Sequence, residues 1–118
     1  MQRVLDRIDD ESLAVHVVWI YAIRSDDYEA AIESRKLISD SRAKHYWDGD
    51  RTLGYALSPV LGTQMKMAWD VYLAYDRGVV WDGPVPPPSD WLHQKRTEAP
   101  MRYLDEAKLE AMIRNVLK

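Results

Sequence analysis

The stretch that most constrains this fold is residues 13–22, Leu-Ala-Val-His-Val-Val-Trp-Ile-Tyr-Ala. It is almost unbroken in apolar character, rich in β-branched and aromatic side chains, and shorter than the ~18 apolar residues of a membrane-spanning helix. A run of that kind suits a strand buried on both faces of a parallel sheet. Helical patterns flank it. Before it, Val4, Leu5 and Ile8 share one helix face, and Asp9, Asp10, Glu11 and Ser12 form a polar break. After it, Asp26 followed by Glu29 reads as a capping box. The helix it opens runs from Asp27 to about Ile38 and turns Tyr28, Ala31, Ile32 and Leu37 or Ile38 toward the sheet.

The remaining elements follow in order. Ala43-Lys44-His45-Tyr46-Trp47 alternates as a short edge strand. Asp48-Gly49-Asp50 turns the chain, and Asp50 can cap a helix with Leu53, Ala56, Leu57 and Val60 on its apolar stripe. Pro59 should end or kink that helix. A third strand, residues 69–76, turns through Asp76-Arg77-Gly78 into an antiparallel partner at residues 79–82. Gly83 and the prolines that follow it make a stiff extended segment. Residues 89–100 read as an irregular surface excursion pinned by Trp91 and Leu92. In the last helix Leu109, Met112, Ile113, Val116 and Leu117 recur with helical period, behind Asp105 or Glu106. The order α-β-α-β-α-β-β-α predicts one α/β domain over residues 1–118. Its expected core is a four-stranded mixed sheet of order 2-1-3-4 with helices on both faces.

This order resembles the thioredoxin-like fold. Tyr46-Trp47-Asp48, then Leu53 to Leu57, then Val71-Tyr72-Leu73-Ala74-Tyr75-Asp76-Arg77-Gly78-Val79-Val80 is similar to the later part of a bacterial thiol-disulfide oxidoreductase or peroxiredoxin-type domain. The resemblance covers about half the chain. Two family features are missing. The Cys-x-x-Cys expected near residues 24–27 has no counterpart, and Met67-Ala68-Trp69 stands where a proline usually precedes the third strand. Alternatively, the first strand matches the family's following strand and the Cys-bearing unit is lacking upstream. On either alignment the resemblance implies a thioredoxin-like domain without a redox centre.

Composition narrows the function classes. Sixteen Lys and Arg are interspersed with 19 Asp and Glu for a net charge of -3, which argues against a phosphate-tracking nucleic-acid binder. With no cysteine there is no disulfide, thiolate nucleophile, Cys-ligated zinc or iron–sulfur cluster, and thiol-disulfide exchange is excluded. The charged N-terminus has no signal-peptide core, so a cytoplasmic protein without membrane attachment is expected. No phosphate-binding glycine loop is present, Ser58 and Ser89 lack a nucleophile-elbow context, and no cofactor is implied.

Two constellations remain. His45 and Asp48, at the end of a parallel strand, with Asp26 and Asp27 near the end of another, could hold a ligand or metal or form an acid–base pair. The competing reading is that Asp48 caps a turn and His45 fills an edge. His16 is expected as a hydrogen-bonded core residue and His93 as a surface one. Trp69, Tyr72, Tyr75, Trp81 and Trp91 concentrate around the third strand and the proline segment. They form a candidate interface for a second copy or another protein, unless they pack the ribbon against the last helix. The leading expectation is a non-enzymatic domain acting in protein binding or self-association. The alternative is a small ligand- or metal-binding protein or enzyme built on His45 and Asp48.

Overall fold

The structure is a computed structural model and describes residues 1–21, 27–95 and 98–118. These residues form two compact units, Met1–Leu53 and Gly54–Lys118.

The first unit begins with α1 (Gln2–Arg7), which buries Val4 and Leu5, while Ile8 is buried just beyond its end. Next come β1 (Val15–Ile20), α2 (Tyr28–Ser34), a 3-10 turn (Arg35–Leu37) and β2 (Ala43–Asp48). Strands β1 and β2 pair in parallel, Val15 opposite Ala43 through Ile20 opposite Asp48. Parallel strands cannot be joined by a tight turn, and α2 serves as the crossover. Its cap is the Asp27 carboxylate, which accepts the Ala30 amide at 2.7 Å. Ala31 is its buried residue; Tyr28 and Ile32 are exposed.

The first unit is tied together by Arg42. Its guanidinium donates to the carbonyls of Leu5 (2.8 Å), Ile8 (2.6 Å) and Asp10 (3.1 Å) around the end of α1, and to both carboxylate oxygens of Asp40. Helix ends leave such carbonyls without partners, and a positive charge there also suits the helix dipole. Gln2 closes the same junction, its side-chain oxygen accepting the amides of Ser39 and Asp40. Hydrogen bonds from the Arg42 guanidinium and amide hold the Asp40 carboxyl down at about 2, from an ordinary 3.8.

Helix α3 (Thr52–Leu61) is capped by Asp48 rather than Asp50: its two carboxylate oxygens accept the amides of Thr52 and Leu53. Pro59 lies inside this helix, on its exposed side, and does not end it. The chain leaves α3 through Gly62 at φ +67°, with the Thr63 amide returning to the Ser58 carbonyl. The buried Ser58 hydroxyl donates to the Met65 carbonyl and lies 3.1 Å from that of Thr63.

The second unit carries β3 (Val71–Ala74), β4 (Asp90–His93), a 3-10 turn (Pro100–Arg102) and α4 (Glu106–Val116). Strands β3 and β4 pair antiparallel, Val71 opposite His93 and Ala74 opposite Asp90. Ala74 and Leu92 are buried, and α4 touches both strands while burying Leu109, Met112 and Ile113. Asp105 caps α4 through the Lys108 amide.

Two expectations from the sequence are corrected here. The four-stranded mixed sheet of order 2-1-3-4, and with it the thioredoxin-like arrangement of strands, does not form: each unit has its own two-stranded sheet, one parallel and one antiparallel. The partner of β3 is also different. Gly78 does make its turn, at φ +87° with the Val79 amide bonded to the Asp76 carbonyl, but residues 79–82 do not return along β3. The return strand is β4, inside the stretch expected to be irregular.

Candidate functional site

Each described residue of the His45 and Asp48 constellation has a structural partner. The His45 Nδ1 accepts from the Trp19 indole at 3.0 Å, so its other nitrogen, Nε2, donates to the Ile38 carbonyl at 3.1 Å. Both Asp48 oxygens cap α3, and Asp27 caps α2. Asp26 lies outside the described residues. The structure thus places His45 and Asp48 on the same strand but commits their polar atoms to different tasks. Among the described residues no group of three or more His, Asp or Glu side chains could hold a metal ion.

The aromatic residues of the second unit divide by role. The Lys95 ammonium sits 2.9 Å from the Trp69 ring centroid, a cation–π contact. The Tyr72 hydroxyl donates to the Gln94 side chain at 2.8 Å. Tyr75 donates to the Pro86 carbonyl and meets Trp81 edge-on, folding the proline segment onto the ribbon. Arg102 lies over the Trp91 ring and bonds Asp90 and the Trp91 carbonyl. Burial raises the pKa of both tyrosines, and the Asp70 charge adds to the effect at Tyr72. Four of the five rings are half-buried. Trp81 is 46% exposed and continues from exposed Val79 and Val80.

The two remaining histidines exchange their expected places. His16 is exposed, 3.2 Å from the Tyr46 hydroxyl. His93 is 0% exposed: its Nδ1 accepts the Lys95 amide at 3.0 Å, and its Nε2 donates to the Ala99 carbonyl at 2.7 Å. Its own carbonyl accepts the Leu104 amide, and Tyr103 meets the ring edge-on.

The site that sequence reasoning missed is the outer edge of β1. Its odd residues face β2 with their backbone groups: the Val15 amide bonds the Arg42 carbonyl, and the Tyr21 amide bonds the Asp48 carbonyl. Backbone groups alternate along a strand, so those of His16, Val18 and Ile20 point away from β2. Among the described residues no strand pairs with that edge. Its side chains carry neither an acid, a lysine nor a proline, the usual guards of an exposed edge. Strand β2 differs. It carries Lys44, and its outward Ala43 amide is already bonded to the Asp40 carbonyl. The available signal was the same apolar run, read for what it lacks at an edge rather than for burial.

No family model matches the chain, and neither a curated protein nor a solved structure does. Among the described residues no helix is long and apolar enough to cross a membrane.

Proposed function

We propose that this protein is a non-catalytic interaction module that self-associates by antiparallel pairing of β1 with β1 of a second copy. The observation carrying this reading is the outer edge of β1 at His16, Val18 and Ile20, with which no strand pairs among the described residues. A two-fold axis through Val18 sets Val18 opposite its own copy and His16 opposite Ile20 of the second copy. Each facing pair exchanges two backbone hydrogen bonds. The two parallel pairs then become a continuous mixed sheet, β2-β1-β1-β2, in place of a two-stranded one. Parallel sheets are ordinarily larger and more deeply covered than this one, and a two-stranded element alone is marginal in water. The commitment of His45, Asp27 and Asp48 to hydrogen bonds within the fold favours binding over catalysis.

The test is Val18→Pro, followed by sedimentation equilibrium. The Val18 amide points away from β2, so proline there spares the β1–β2 ladder while removing a donor from the outer edge. The expected result is a dimer for the parent chain and at least a tenfold weaker dimer for Val18→Pro. Trp81→Ala should dimerise like the parent. A monomer near 1 mM parent chain, or undiminished association of Val18→Pro, overturns the proposal. Weakening by Trp81→Ala alone moves the interface to the aromatic ribbon.

A further inference from the structure

Between the end of α2 and β2 lies a shallow cleft, broadly open to solvent, of about 380 Å³, lined by Ile32, Arg35, Lys36, Ile38, Ala43 and His45, with Ser39 and Asp40 alongside. That volume is at the lower end of small-molecule sites. Its polar groups sort into those already used and those available. Both His45 nitrogens are engaged, the Asp40 carboxylate is neutralised by Arg42, and the amides of Ser39 and Asp40 are both given to Gln2. The Arg35 guanidinium has no hydrogen-bond or ion-pair partner among the described residues. Among the described residues Lys36 is bridged to Glu33 alone, both side chains being 74% exposed, and a pair that open to water is weak. Ile32, Ile38 and Ala43 supply an apolar wall.

We infer that this cleft binds a small organic carboxylate with an aliphatic or aromatic body. The planar Arg35 fork matches a carboxylate with two parallel hydrogen bonds, and Lys36 adds a second positive charge. The apolar body rests on Ile32, Ile38 and Ala43. Phosphate is served less well. It is usually cradled by free backbone amides, and the two amides at this rim are spent on Gln2. The cleft lies beside β2 and uses none of the outward groups of β1, so it stands independently of self-association.

The experiment is an NMR titration of the full ¹⁵N-labelled chain with 3-phenylpropanoate, its neutral amide, and inorganic phosphate. The carboxylate should give saturable shifts confined to residues 32–45, with a dissociation constant on the order of 1 mM. The neutral amide should bind at least fivefold more weakly, and phosphate should give no saturable shift there. Arg35→Gln, at an exposed position, should keep the parent spectrum and lose at least fivefold in carboxylate affinity. The inference is overturned if no amide of the cleft shifts at roughly 50 mM carboxylate. Equal binding of the amide, phosphate binding as tight as carboxylate, or an unaffected Arg35→Gln would overturn it too.

Discussion

Arg42→Met tests how the first unit is held together. Methionine keeps a long unbranched stem but removes every donor, so the Ile8 carbonyl loses its hydrogen bond and Asp40 loses its counter-charge. The Leu5 and Asp10 carbonyls keep weaker bonds from the amides of Ile8 and Leu13. Breaking a buried pair by deleting one partner costs about 3–5 kcal/mol. The Arg42 and Asp40 side chains are 16% and 11% exposed, which places the expected loss near the lower end, about 3 kcal/mol. Amide exchange at Val17 and Trp19 in β1 reads that loss locally. A destabilisation of that size speeds exchange roughly a hundredfold. The pH dependence gives a second readout with a definite sign. The Asp40 carboxyl is depressed from 3.8 to about 2, so its stabilisation is present above pH 3.8 and is lost as pH falls through about 2. The shift corresponds to about 2 kcal/mol before solvent screening. The variant should show a much flatter acid limb. Exchange at Val17 and Trp19 accelerated less than about fivefold, or an unchanged acid limb, would refute the role assigned to Arg42.

Other expectations concern single side chains. His93→Phe leaves the Lys95 amide and the Ala99 carbonyl without their buried partner and should cost about 2–3 kcal/mol in urea unfolding of the second unit. Asp48→Ala removes both caps of α3 and should cost about 1–2 kcal/mol, with Asp48→Asn recovering part of it. A loss shared equally by Asp50→Ala would contradict the assignment of the cap.

The legible parts of the fold were those with local causes. The strand beginning at Ala43, the period of α4 and its acidic start at Asp105 follow from near neighbours in sequence, whereas the cap of α2 falls on Asp27, one residue after the Asp26 expected from the capping-box spacing. The pairing of strands has no such local cause. The Asp-Arg-Gly turn pointed to residues 79–82 as the partner of β3, and residues 90–93, Asp-Trp-Leu-His, lay in a stretch that reads as irregular. Burial decided for the farther: Leu92 and Ala74 are sealed, whereas Val80 is 72% exposed. The continuous apolarity of residues 13–22 concealed which residues of β1 face outward, so it suggested a central strand and buried His16. His93 was misplaced for the opposite reason. It is followed by the polar Gln94 and Lys95 in a Pro-flanked stretch, and the groups that bury it, Tyr103 and the Ala99 carbonyl, lie farther along the chain. At the candidate site, residue types were visible, but which polar atoms the fold had already taken was a tertiary fact.

The long route from β3 to β4 has an evolutionary and engineering consequence. Residues 75–89 are anchored to the ribbon through Tyr75 and its contacts with Trp81 and Pro86, and both strands enter the segment at adjacent positions. Lengthening a loop that is already long costs little entropy: each doubling adds about 0.6 kcal/mol. The tip around residues 77–84 is therefore the natural place in this chain to splice in a foreign peptide or reporter, with the β3–β4 register left intact.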